Sequence, residues 1–362
     1  AFARTLAESF RAVHPDGECY VLIVDDFEGL VRPAEERFEV VGLEELDIPD
    51  LPSFCFKYNV TELSTAAKPY FLEHLLTGRG LGKLLYIDPD ILVTNPIGGL
   101  FDRLDQFDIV LTPHLDKDYP EDGLSPDDAF VLKSGTYNLG FIGIRDTPTV
   151  REFLSWWQRK LYNKCVIDHR NGYFVDQRFI DLLPGLFDNY FIEKDTGYNV
   201  AYWNLHSRRL SRENGRWMCN GSPLYFYHFS GYRIGEGDMI SNHMTRYHLS
   251  DRLDIAPLFT DYSERLMLNG YEEAIRWRYS HDYFTNGEQI PAELRVIYRN
   301  SPLAWQAYGN PFASAALARR ARRVRAKEKA IYAVNSFIWH TLGPRYVLGY
   351  ELRGRYRQGE RL

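Results

Sequence analysis

Asp88 and Asp90 stand one residue apart where the apolar run Leu84-Leu85-Tyr86-Ile87 meets Pro89. In extended backbone, side chains at i and i+2 point to one face, so the two carboxylates can share a divalent cation. Pro89 has no N–H to give to a ladder, which places the pair at a strand exit rather than inside a central strand. Hard oxygen ligands suit Mn2+ or Mg2+, whose shell is completed by water and by the oxygens of a bound diphosphate. Spacing alone is weak evidence. A chain of 362 residues holds roughly one Asp-x-Asp by chance, and Asp116-Lys117-Asp118 is a second copy. Only the first copy follows a strand-like apolar run. The competing reading of Asp88 and Asp90 is a pair of strand-end aspartates capping a turn.

The elements that must hold this pair alternate in type. Phe2 to Val13 has helical periodicity, Tyr20 to Val24 reads as a strand, Phe38 to Val41 as a short strand, and Val60 to Leu76 as a helix crossed by Pro69. Further strands are expected at Asp108 to Leu111, Asn138 to Ile144, Tyr190 to Ile192 and Leu224 to Phe229. Thr147-Pro148 is an N-cap with proline at the first helical position and opens a helix to about Cys165. A short helix is expected over Val175 to Leu183. The acidic stretch Pro113 to Lys133 reads as a mobile surface loop, a candidate lid. This alternation indicates an α/β fold. A strand normally precedes the first helix of such a unit, so the domain's first strand is expected upstream of Ala1. From about Ser250 helical patterns dominate.

Composition narrows the class. Hydrophobic residues make up 45% and charged residues 25%, and aromatic content is high at 15%, with 25 Tyr and 7 Trp. Tyr and Trp combine apolar area with a polar handle, which suits sugar-binding clefts and cores alike. Four scattered cysteines without a Cys-x-x-Cys argue against a disulfide framework or a zinc site. No apolar run nears the roughly 20 residues of a membrane helix, and no secretory leader pattern opens the sequence. A cytoplasmic protein is expected.

Four short motifs stand in order: Ala67-Lys68-Pro69, then Leu85-Tyr86-Ile87-Asp88-Pro89-Asp90, Tyr137-Asn138-Leu139-Gly140 and Val175-Asp176-Gln177. They lead to His228-Phe229-Ser230-Gly231. The ordered set resembles nucleotide-sugar glycosyltransferases of the GT-A fold, with the layout of glycosyltransferase family 8. The resemblance covers about Leu63 to Tyr232. It implies a GT-A-type (Rossmann-like) mixed, mostly parallel sheet flanked by helices, followed by a helical C-terminal region. It assigns Asp88, Asp90 and His228 to the metal, with Asp88 also near the donor ribose. Lys68 and Asn138 are then donor contacts, and Asp176 and Gln177 face the reacting sugars. The family has Arg at the position of Lys68, and its His motif continues to Lys-Pro-Trp, where this chain has Tyr232-Arg233-Ile234; Arg233 is taken as the replacement phosphate contact. Each residue has a plainer reading: Lys68 as a solvated helix-face lysine, Asn138 as a turn former, Asp176 as a helix N-terminal acid, and His228 as a satisfied core histidine. The cluster Tyr198-Asn199 and Tyr202-Trp203-Asn204 reads equally as sugar surface or core.

The resemblance implies transfer of a hexose from a UDP-sugar to a glycan or lipid-linked acceptor, with retention and with Mn2+ or Mg2+ as cofactor. An inverting enzyme would need a carboxylate base, for which Asp176 is the candidate. The expected organisation is a catalytic domain over 1–249 and a helical region over 250–362. Net charge is −6, yet Arg319 to Lys329 is strongly basic and leads into Ile331, Tyr332, Val334, Phe337, Ile338 and Trp339. That pattern suits peripheral contact at the inner face of the cytoplasmic membrane, or a helix docked with its charged face in water. Nucleic acid is not an expected partner. The rival functions are a sugar nucleotidyltransferase and a non-catalytic scaffold of envelope polysaccharide assembly.

Overall fold

The computed structural model describes residues 1–301 and 308–342, with side chains through residue 331. It is a mixed α/β protein of two compact units. One comprises Ala1–Leu51 and Val60–Tyr279, the other Pro52–Asn59 and the residues from Ser280 onward.

The first unit opens with α1 (Phe2–Val13), β1 (Tyr20–Ile23) and β2 (Glu39–Gly42), and all but the first residue of α2 (Leu51–Phe56) lies in the short segment of the second unit. Next come α3 (Val60–Glu73), β3 (Lys83–Ile87), β4 (Ile91–Val93), α4 (Gly98–Gln106), β5 (Ile109–Pro113), α5 (Asp128–Ser134), β6 (Tyr137–Arg145) and α6 (Pro148–Lys164). A small hairpin of β7 (Ile167–Asp168) and β8 (Tyr173–Phe174) precedes α7 (Gln177–Ile180), α8 (Leu183–Leu186) and β9 (Tyr190–Ile192). The unit ends with β10 (Leu210–Glu213), β11 (Arg216–Cys219), β12 (Ser222–Pro223), β13 (Phe226–His228), α9 (Ala256–Leu268) and α10 (Tyr271–Ala274). The second unit contains α11 (Ala292–Arg299) and α12 (Ala315–Leu342).

The central sheet has the order β3-β6-β5-β9. The α/β class is as expected, but the ladders are less parallel than the expectation. Among the ladders of the described strands, β1–β2 and β5–β9 run parallel, whereas β6 is antiparallel to both β3 and β5. The cause is the excursion after β5: it returns to the same end of the sheet, where His114 N donates to Thr136 O at 2.9 Å, and β6 then runs back along β5. The expected free loop over Pro113 to Lys133 is also different. It contains α5, capped by Asp127 Oδ1 accepting from Phe130 N at 2.9 Å. It is tied down by the Tyr119 hydroxyl on Trp203 O (2.7 Å) and by buried Arg246 on the carbonyls of Leu124 and Pro126 (3.0 and 2.9 Å).

Thr147 caps α6, its Oγ1 accepting from Val150 N at 3.2 Å, and Pro148 sits at the first turn. Val150, Phe153, Leu154, Trp157 and Leu161 recur at helical spacing and are buried, each worth about 1.5–3 kcal/mol of burial. The run from Leu84 to Val93 leaves β3 at the expected exit, Asp88 to Asp90, and resumes as a second strand, β4. The expected helix over Val175 to Leu183 is likewise two single turns, α7 and α8. Among the described residues β1 is laddered only to β2 and β3 only to β6, and a cavity of about 710 Å3 is lined by Leu6 and Phe10 of α1, Val21 of β1, Leu72 of α3 and Leu85 of β3. The strands that border it are correspondingly half-buried.

In the second unit Phe56, Leu294, Tyr298, Leu317 and Ala321 form the core. Buried Arg295 donates to the carbonyls of Phe56 and Tyr58 at 2.9 and 2.6 Å. On α12, Arg319, Arg320 and Arg323 are exposed, while Arg322 and Arg325 pair with Glu288. The apolar side chains expected to follow, Tyr332, Val334, Phe337, Ile338 and Trp339, lie outside the described residues. Among the described residues no helix is long and apolar enough to cross a membrane.

Candidate functional site

Two ladders bring the carboxylates and the imidazole together. In one, β3 pairs with β6 so that Ile87 lies opposite Phe141, and Asp88 N donates to Gly140 O at 2.8 Å. In the other, β13 pairs antiparallel with β4, setting His228 opposite Ile91, and Phe229 N donates to Asp90 O at 2.9 Å. The side chains of Asp88, Asp90 and His228 then converge, with one ligand atom of each within 4.8 Å of the others. His228 Nε2 lies 3.0 Å from Asp90 Oδ1 and 3.9 Å from Asp88 Oδ2. The imidazole is 4% exposed and the carboxylates 29% and 31%, so the nitrogen forms the floor and the oxygens open outward. Two carboxylates and one imidazole form a donor set that fits Mn2+.

Electrostatics agrees with that geometry. Burial pushes Asp90 up, but the facing imidazole outweighs it and holds the carboxyl below its ordinary range. Burial likewise pulls His228 down, yet Asp90 and Asp88 together raise it above its ordinary value. The two carboxylates thus attract positive charge to the point between them, as a proton on His228 or as a divalent cation.

Gly140 makes this convergence possible. A Cβ there would lie 2.3 and 2.7 Å from Cε1 and Nδ1 of His228 and 2.8 Å from Asn138 Oδ1. Nδ1 of His228 is buried without a hydrogen-bond partner among the described residues. Gly231, at φ +72°, turns the chain away after the His motif, where a Cβ would meet Ser241 and Asn242 at 2.5 Å.

Beside these three side chains lies a buried ion pair. Lys68 Nζ sits 2.6 Å from Asp176 Oδ2 with both side chains at most 3% exposed, and donates to Leu139 O at 2.7 Å. Lys68 also lies 4.2 Å above the Tyr86 ring, whose hydroxyl donates to Asp88 Oδ1 at 2.7 Å. Burial raises the Asp176 carboxyl above its usual range, although Lys68 opposes it. Asp176 stands just before α7, following Val175 at φ +41°, and its carbonyl accepts from the Trp157 indole at 3.2 Å. The solvated-lysine reading of Lys68 is therefore replaced by a fully desolvated one.

Asn138 and Gln177 belong to one buried network. Gln177 Oε1 accepts from Leu139 N (3.0 Å) and from the Asn138 amide (3.3 Å), and its own amide donates to Ser134 O (2.9 Å). Asn138 Oδ1 accepts from Gly140 N and from Asn199 Nδ2 at 3.1 and 3.0 Å. The sequence reading missed His114 and Thr112 here. His114 Nδ1 donates to Gly135 O (2.8 Å), which leaves Nε2 to accept from the Asn138 amide (3.3 Å), while Asn199 Nδ2 also donates to Thr112 Oγ1 (2.8 Å). No local motif marks His114; only the return of β6 to the end of β5 brings it in. Trp203 stacks edge-on to both His114 and His228, with centroids 5.2 Å away in each case. Tyr198, Asn199, Tyr202, Trp203 and Asn204 are all buried, so this cluster is core. Arg233 is not drawn into the network. It is 62% exposed and pairs with Glu236 at 3.2 Å. The second Asp-x-Asp, at Asp116, accepts from the Ser207 hydroxyl at 2.8 Å.

No family model matches this chain. It is 27% identical over 275 residues to the uncharacterized protein YfnF of Bacillus subtilis (strain 168), covering 73% of this chain and 87% of the relative. It is 25% identical over 252 residues to YfnD of the same organism, covering 68% and 78%. Among solved structures, the galactosyltransferase LgtC in complex with donor and acceptor sugar analogs aligns over 73% of this chain and 91% of that one, at 18% identity and a TM-score of 0.41.

The packing around the three converging side chains and around His114 can be tested by substitution. Gly140→Ala should displace the imidazole or the strand that carries it. Urea unfolding should show a loss of about 1–3 kcal/mol, the usual cost of overpacking, and the variant should lose divalent-cation binding. The second concerns His114, whose pKa burial lowers to about 4, against about 6.5 in an unfolded chain. Between those values the unfolded state binds the extra proton. Stability from this group is complete above about pH 6.5 and is lost as pH falls toward 4, by up to a few kcal/mol. His114→Gln should flatten that limb of a stability-versus-pH curve measured beside wild type.

Proposed function

We propose that this chain is a metal-dependent glycosyltransferase of the GT-A type, transferring a hexose from a UDP-sugar to a glycan or lipid-linked acceptor with retention. The observation that carries the proposal is the convergence of Asp88, Asp90 and His228 at a strand end beside the buried Lys68–Asp176 pair. In this reading the three side chains hold Mn2+ or Mg2+, which supplies Lewis-acid stabilisation of the charge that develops on the departing diphosphate. Asp88 also faces the donor ribose. Arg233, exposed and paired with Glu236 on the surface, is available to the phosphates.

The protein's own residues do the positioning. Asn138 and Gln177 are locked through both ends of their amides and form a fixed polar wall for the donor sugar. Asp176 is committed to Lys68 and almost fully buried, which suits a residue that orients the sugars rather than a base that takes the acceptor proton. Retention fits this arrangement, with the donor's own phosphate oxygen accepting that proton. The exposed Arg319, Arg320 and Arg323 of α12 favour peripheral contact with an anionic lipid face, at about 1 kcal/mol for each cation near the surface, and hence a place at the inner side of the cytoplasmic membrane.

Titration calorimetry with UDP tests the donor site. UDP should bind in the presence of Mn2+, and Asp88→Ala/Asp90→Ala should abolish that binding while leaving the protein folded. UDP-hexose hydrolysis, followed by NMR at the anomeric carbon, should release the sugar with its configuration kept. Equal UDP binding with and without metal would exclude the assignment, and an inverted product would return Asp176 to the role of base.

A further inference from the structure

Tyr86 touches both halves of the site, the Lys68 ammonium and the Asp88 carboxylate. It precedes Asp88 by two residues, so the extended end of β3 carries both on one face. Its hydroxyl donates to Asp88 Oδ1 at 2.7 Å, while the other oxygen, Oδ2, is the one that faces His228 Nε2 at 3.9 Å. Its ring lies beneath the Lys68 ammonium at 4.2 Å, a cation–π contact. Lys68 cannot drift from that position, because Asp176 Oδ2 at 2.6 Å and Leu139 O at 2.7 Å fix it from the other side. A desolvated ion pair thus clamps the ring, and the ring's hydroxyl clamps a carboxylate.

We propose that Tyr86 is a positioning residue of the metal centre: by occupying Oδ1 of Asp88 it makes that carboxylate a one-oxygen ligand through Oδ2. A free carboxylate can rotate and take a cation through both oxygens, which would use a coordination position needed by a diphosphate oxygen or a water. With Oδ1 held, that position stays open. Groups that orient a ligand in this way typically govern 10–100-fold of metal affinity.

The inference rests on the metal reading above, and the experiment separates the two. Mn2+ alone, without nucleotide, is titrated into wild type and Tyr86→Phe, with thermal unfolding recorded for each. The phenylalanine ring keeps the packing under Lys68 and removes only the hydroxyl. The expected result is Mn2+ binding by wild type and affinity about 10–100-fold weaker in Tyr86→Phe. Equal affinity in the two proteins overturns the role of Tyr86, and a lowered melting temperature with unchanged affinity does so too, since it marks a merely structural hydroxyl. No Mn2+ binding by wild type overturns the metal reading itself. A crystal structure of Mn2+-loaded wild type decides the point without the variant: ligation by Asp88 through one oxygen is expected, and ligation through both contradicts the proposal.

Discussion

The register of two short ladders fixes everything else in the site. β4 and β13 pair over only three residues each, yet that pairing sets His228 beside Asp90. A slip of one residue would turn the imidazole to the opposite face, since side chains alternate along a strand. The neighbouring β3–β6 ladder places Gly140 where a larger residue would fill the space the imidazole needs. Position, not residue type alone, makes three ordinary side chains a possible ligand set.

Around that point the structure breaks several local rules. Lys68 and Asp176 are charged and desolvated, an arrangement that strongly destabilises a protein once either partner is removed. Val175 adopts φ +41° although its branched Cβ disfavours the left-handed region, a strain on the order of 1–3 kcal/mol. His228 Nδ1, Trp203 Nε1 and Asn199 Oδ1 are buried without hydrogen-bond partners among the described residues. Such costs concentrate where function, rather than stability, has selected the sequence.

Much of the α/β pattern was legible in the sequence, and the limits have physical causes. Thr147-Pro148 marked the start of α6 because capping is a local interaction. Pro89 marked the break between β3 and β4 because a missing N–H acts locally as well. The direction of β6 was not readable, because it depends on where the chain returns after the excursion following β5. The same return carries His114 to Asn138, which explains why no motif announced it. Lys68 stands in a motif readable from the sequence, but its burial against Asp176 and over Tyr86 is a tertiary fact. The stretch from Pro113 to Lys133 looked free because it is acidic and polar; Arg246 and Tyr119, meeting partners distant in sequence, hold it down.

The claim on which this account turns is that Asp88, Asp90 and His228 form one divalent-cation site. Electron paramagnetic resonance of free Mn2+ during titration measures it directly. One bound ion per chain is predicted for wild type and for Asp116→Asn/Asp118→Asn, and none at that affinity for Asp90→Asn. If Asp90→Asn binds as wild type does, or if the Asp116 and Asp118 changes abolish binding, the cation lies elsewhere and the account fails.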